Sequence, residues 1–125
     1  MEENPLTRWT ITNPIKREPL LKLDGGNPGY CAYVVELWPC PECEGVEIDL
    51  TAGADVESVK WFPHVKRAFQ KSIQCEREDG NEWIGIRVVV LRIMTHPVDT
   101  TKRACEIYGS WFCSFFKYDL TRLPD

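Results

Sequence analysis

Long apolar runs are missing from this 125-residue chain: the densest is Val88-Val89-Val90-Leu91, far short of the ~20 residues that a membrane-spanning helix needs. Basic residues are in the minority, 15 Lys and Arg against 19 Asp and Glu, for a formal net charge of −4. That balance argues against holding nucleic acid by bulk charge alone, because such binding displaces phosphate counterions with Lys and Arg. No Gly-x-x-x-x-Gly-Lys-Ser/Thr loop occurs, so nucleotide hydrolysis by that phosphate cradle is excluded. There is no internal repeat, no low-complexity segment and no second Cys-x-x-Cys. Met1-Glu2-Glu3-Asn4-Pro5 is acidic and polar, without the basic head and apolar stretch of a secretory signal. A cytoplasmic protein without membrane association is the expectation.

What is present describes one globular domain. Apolar residues make up 43% and charged residues 27%, and a chain of this length buries roughly two-thirds of its unfolded surface. Six cysteines would suggest a disulfide framework in a short secreted chain, but a reducing cytosol keeps thiols free. Cys31, Cys75, Cys105 and Cys113 sit among apolar or helical residues and read as small buried hydrophobes. Cys40-Pro41-Glu42-Cys43 differs: two thiolates two residues apart can grip one Zn²⁺. Three readings stay open here: a hairpin turn with two incidental cysteines, a zinc knuckle, and a redox pair. Zinc would need further ligands, with His64, His96 or another cysteine as candidates.

Residues 1–24 form an extended segment with a candidate edge strand at Arg8–Thr12, interrupted by Pro14 and Pro19. Lys22 to Gly29 is a loop. Tyr30–Trp38 reads as a strand, Pro39–Gly45 as a turn, and the alternating Val46–Leu50 as a second strand making a hairpin with the first. A helix follows near Val56–Glu76, with Phe62, Val65, Phe69 and Ile73 on one stripe and Lys60, Arg67 and Lys71 on another face. Pro63 is expected to mark where the helix proper begins. Trp83–Met94 is a strand with apolar residues on both faces in its second half, hence central in the sheet. Asp99 is placed to cap a second helix that runs to Phe116, in which Gly109 predicts close contact with a neighbouring element. Residues 117–125 form a polar tail. The expected fold is α+β: a two-layer sandwich of one four-stranded sheet with two helices on one face, in the order β-β-α-β-α.

Three stretches resemble a known family. Gly25-Gly26-Asn27-Pro28-Gly29-Tyr30 leads into a strand ending at Trp38-Pro39; Phe62-Pro63-His64-Val65 opens the first helix, and Ile86-Arg87-Val88 enters the strand beyond it. His96-Pro97-Val98-Asp99-Thr100-Thr101 then precedes Ala104, Ile107 and Gly109-Ser110. In this register the chain from about Gly25 to Phe112 resembles the fourth domain of translation elongation factor G, the blade that enters the ribosomal decoding site. The resemblance implies a domain over residues 25–116 with a left-handed crossover between parallel strands, against the usual rule. It also implies two tip loops that touch RNA: Gly25, Gly26, Asn27, Pro28 and Gly29 in one, His96, Pro97, Asp99 and Thr100 in the other. Glycine lets backbone amides approach phosphate or ribose, and His96 can stack on or donate to RNA.

The departures from the family matter. Asn27 stands where the family has an arginine, Cys31 and Ala32 replace a glycine and a histidine, and Pro97 replaces an acidic residue. The family's GTP-binding loop has no counterpart here. Each tip residue also has a plainer reading: a glycine turn, an exposed loop histidine, a helix-capping aspartate, and in Lys60, Arg67 and Lys71 a solvated helix face. The expectation is a stand-alone, non-catalytic module that binds the ribosome or a structured RNA, with no cofactor and no metal. The alternative is a protein-interaction or regulatory module that kept the fold and lost RNA binding. His96 with Asp99 has no identifiable nucleophile, so no enzyme is expected.

Overall fold

The computed structural model describes residues 6–17, 32–95 and 101–124. The chain is α+β, with helices packed against two mixed sheets. Strands are β1 (Thr7–Thr10), β2 (Ile15–Arg17), β3 (Ala32–Pro39), β4 (Val46–Leu50), β5 (Asn81–Trp83), β6 (Ile86–Met94) and β7 (Thr121–Arg122). Helices are α1 (Val56–Glu78), α2 (Lys102–Gly109) and the short α3 (Phe112–Phe116). Among the described residues, no helix is long and apolar enough to cross a membrane.

The four-stranded sheet runs β2-β3-β6-β4, and β6 is central as its two apolar faces require. The expected hairpin does not form. β3 pairs antiparallel with β6, β4 pairs parallel with β6, and β6 lies between β3 and β4. The turn between them must therefore cross about 9–10 Å, twice the strand spacing. It closes over the entry to β6, where Cys40 N–H donates to the Gly85 carbonyl (2.7 Å) and Ile86 N–H to that of Gly45 (3.2 Å). Aromatic and β-branched residues revealed the first strand and alternation the second; which neighbour each would take depended on β6, forty residues after β4 begins.

A second sheet, ordered β5-β1-β7, corrects the single-sheet expectation. β1 is its middle strand rather than an edge, parallel to β5 and antiparallel to β7. The polar end of the chain thus has a structural role, reinforced by an Arg17–Asp119 ion pair at 2.8 Å. The single strand expected over Trp83–Met94 is divided. Gly85 takes a positive φ of 64°, which L side chains rarely adopt, and the chain passes there from one sheet to the other. In β6 a bulge sets Arg92 opposite Val34 but Val90 opposite Val35, leaving Leu91 extra. That insertion re-phases the alternation, so Ile93 is buried and Arg92 exposed.

Helix α1 begins at Val56, not at Pro63, which lies within it. An internal proline costs about 3 kcal/mol, and tertiary contacts offset it. Ser58, fully buried on the first turn, accepts a hydrogen bond from Ile93 N–H (2.9 Å) and donates to its carbonyl (3.5 Å). β4 stops opposite Val90, so Ser58 satisfies β6 backbone groups beyond the end of that strand. Two turns along the same face is Val65, and two turns further Ser72, whose hydroxyl accepts from Cys113 N–H at 3.1 Å and satisfies a donor at the start of α3. Ser58→Ala should lower stability by about 1–3 kcal/mol, because it leaves Ile93 N–H buried without a partner. Urea unfolding checks this as a lower midpoint at unchanged slope; a change within ~0.5 kcal/mol would contradict it.

The second helical region differs from the expectation at both ends. Thr101, not Asp99, caps α2, its hydroxyl accepting from Ala104 N–H at 3.0 Å. The helix stops at Gly109, and a new turn starts at Phe112. Ser110 N–H is shared between the Glu106 and Ile107 carbonyls, and Trp111 N–H bonds back to Tyr108, the tightening that ends an α-helix. Gly109 sits against Ala68 of α1, the close approach its presence predicts. The core brings together Tyr33, Val35 and Leu37 of β3, Ile86, Val88, Val90 and Ile93 of β6, Val65 and Phe69 of α1, and Tyr108, Phe112 and Phe116.

Candidate functional site

The residues assigned to the two tip loops, Gly25 to Gly29 and His96, Pro97, Asp99 and Thr100, lie outside the described residues, as does Cys31. What the structure describes is the frame from which both segments leave. Ala32, where β3 begins, and Met94, where β6 ends, are Cα partners in adjacent antiparallel strands. Arg17, where β2 ends, pairs with Val35 one strand further out. The first turn of α1 is tied to the same end of β6 through Ser58 and Ile93. Lys60, Arg67 and Lys71 are all exposed on α1, and Lys60 lies 5.2 Å from the Trp61 ring centroid. Lys102 and Arg103 are exposed in the first turn of α2, with Lys102 4.0 Å from Glu106.

A second constellation sits at the connection between β3 and β4. Cys40 and Cys43 are joined by a disulfide, with Cα atoms 5.3 Å apart. Cys43 N–H donates to the Cys40 carbonyl at 2.9 Å, closing a turn for which Pro41 is preset. Both cysteines are buried. Of the three readings of this pair, the hairpin turn with two incidental cysteines is corrected: β6 separates β3 from β4, and the two cysteines are bonded to each other. Neither His64 nor another described cysteine joins them; the third group is Glu47 of β4, which has one ligand atom within 4.8 Å of both sulfurs. Glu47 stands opposite Arg87 in the parallel register, and Arg87 Nη2 donates to Glu47 Oε2 at 3.1 Å. Arg87 Nε lies 4.0 Å from Asp49 Oδ2. Beside Cys40, Trp38, Glu42, Arg87 and Val89 line a depression of ≈ 350 Å³. The sequence carried a signal for Glu47 only in hindsight of topology: the residue lies four positions after Cys43, on a strand whose register alone turns it back to the sulfurs.

Of the remaining described cysteines, Cys105 and Cys113 are buried as expected, whereas Cys75 is exposed. Burial pushes the Cys113 thiol up to about 12, against the lowering effect of its hydrogen bond with Ser72. It is neutral and a poor nucleophile at physiological pH. Cys113 lines an apolar cleft of ≈ 360 Å³ with Trp9, Trp83, Tyr118 and Leu120.

No protein-family model matches the chain. Its fold is similar to part of a crystal structure of a protein from Thermus thermophilus, with a TM-score of 0.57 and 21% sequence identity. The match covers 86% of this chain and 16% of that protein. The likeness is one of fold, and the chain spans a small fraction of that protein's length.

Proposed function

We propose that this chain is an elongation factor G domain IV-like module that binds the ribosome or a structured RNA, without catalysis, through segments 25–29 and 96–100. The observation that carries the reading is the pairing of Ala32 with Met94. The two segments that the resemblance assigns to RNA contact are attached to neighbouring strands at one end of a sheet, although far apart in sequence. β4 and β6, parallel neighbours joined through α1, are where the implied left-handed crossover would fall. The Thermus thermophilus likeness supports the fold and leaves the activity to experiment.

In this reading Gly25, Gly26 and Gly29 let backbone amides reach phosphate or ribose, with Asn27 and Pro28 shaping the loop. His96 supplies an aromatic face or a donor, with Pro97, Asp99 and Thr100 beside it. The acidic balance of the chain makes binding weak and strongly salt-dependent.

Co-sedimentation with ribosomes at low salt tests the proposal. The protein is expected in the ribosomal fraction and is released as salt rises. His96→Ala should weaken binding at least about fivefold, the lower end of ~1–3 kcal/mol per stacked base, while Lys71→Ala should change little. Absence from every ribosomal fraction at low salt would reject the reading. A pull-down that returned one stable protein partner and no RNA would favour a protein-interaction module instead.

A further inference from the structure

We propose that Cys40, Cys43 and Glu47 form a site for a thiophilic divalent ion, Zn²⁺ by its chemistry, available when the Cys40–Cys43 disulfide is reduced. The disulfide and the metal site are then alternative states of one turn.

The geometry supplies what the sequence alone left incomplete. Two sulfurs and one carboxylate oxygen lie within 4.8 Å of one another, the one such trio among the described residues. Two thiolates select a soft or borderline ion over Mg²⁺ or Ca²⁺. Three protein ligands leave a fourth position open, the arrangement of exchangeable and catalytic zinc sites rather than closed structural ones. A depression opens beside one of the two sulfurs, lined by Cys40, Glu42 and Arg87.

Charge and support agree with this assignment. Two thiolates and one carboxylate carry three negative charges, of which a divalent ion offsets two; the Arg87 guanidinium beside Glu47 is shared with Asp49, 4.0 Å from its Nε. Arg87 is already hydrogen-bonded to Glu47 (3.1 Å), the outer contact that orients a ligating carboxylate. Backbone bonds from Cys40 to Gly85 and from Cys43 to Cys40 hold the turn, so the ligands come from a fixed end of the sheet.

Entry into the metal-binding state balances as follows. A trialkylphosphine attacks one sulfur and the S–S bond breaks. Water then delivers its oxygen to phosphorus, giving the phosphine oxide, and its two hydrogens end on the two sulfurs. Metal binding releases both thiol protons to solvent.

The test uses the full chain, reduced with a trialkylphosphine and titrated with Co²⁺. One Co²⁺ per chain is expected, with thiolate-to-cobalt charge-transfer absorption and the visible bands of tetrahedral coordination, and Zn²⁺ should displace it. The oxidised chain should show neither band. Cys40→Ser and Cys43→Ser should each remove the charge-transfer band. Glu47→Gln, at an exposed side chain and therefore neutral to folding, should keep that band but weaken Co²⁺ binding by about tenfold or more. Cys75→Ser should leave every signal unchanged. The proposal is overturned if the reduced wild type shows no band, if the band survives both Cys40 and Cys43 replacements or depends on Cys75, or if Glu47→Gln binds as tightly as wild type.

Discussion

Phe69→Ala is expected to remove about 3–5 kcal/mol of folding free energy, the range for deleting a fully buried aromatic ring. Phe69 has no exposed surface. Its ring stacks on Phe112 with centroids 4.2 Å apart and meets Tyr33 edge-on at 4.8 Å. It therefore joins α1 to both β3 and α3. The cavity left by alanine cannot collapse easily, because the Tyr33 hydroxyl is held by the Tyr108 carbonyl at 3.4 Å, and Phe112 is fixed by Trp83 and Phe116 on its other sides. Native domains hold only ~5–15 kcal/mol in total, so the variant should melt roughly 10–20 °C lower. Chemical denaturation with unchanged slope and a much lower midpoint is the expected record. A loss below about 1.5 kcal/mol would mean that this ring is not where the three elements are joined.

Gly109→Val should cost about 3 kcal/mol, the upper end for inserting volume into a packed contact. A Cβ at this position would overlap the Cβ of Ala68 and come within 3.5 Å of the Phe69 ring. Neither is the loose end of a flexible side chain, so α1 and α2 must move apart. Valine would improve on glycine in helix propensity by a fraction of a kcal/mol, too little to offset the overlap. The diagnostic measurement is a double-mutant cycle with Gly109→Ala and Ala68→Gly. Each alone should destabilise. Together they should recover part of the loss, with a coupling of at least ~0.5 kcal/mol. Strict additivity would show that the two helices are not in contact at these residues.

How much was legible beforehand divides along physical lines. The apolar stripe of α1 was readable, since Val65 and Phe69 recur at helical spacing and are buried, with Phe62 and Ile73 packed beside them. The central place of β6 was readable from apolar residues on both faces. The close helix contact at Gly109 was readable because glycine within a helix is unfavourable unless something needs the space. Pro63 misled, because its local cost is offset by tertiary contacts made on both sides of it: Ser58 bonds to β6, thirty-five residues away in sequence, and Phe62, Val65 and Phe69 pack in the core. Ser58, Val65 and Ser72 repeat every seven residues, a signal that could have marked buried hydroxyls on one helix face. Thr101 caps α2 where Asp99 was expected: both residue types are able N-caps, Asp the stronger, so cap chemistry alone did not fix where the helix begins.

For the candidate sites the division is sharper. Residue type and spacing by themselves determined the α+β class, the segments of β3, β4 and α1, and the chemical capacity of the Cys40–Cys43 pair. Short-range sterics and hydrophobic periodicity act within a few residues, and those properties need nothing more. Only the tertiary structure decided that β6 would part β3 from β4, that Ala32 and Met94 would lie side by side, and that Glu47 rather than a histidine would face the two sulfurs. Each is a matter of register between strands distant in sequence, set by which arrangement buries the most apolar surface while pairing every backbone group.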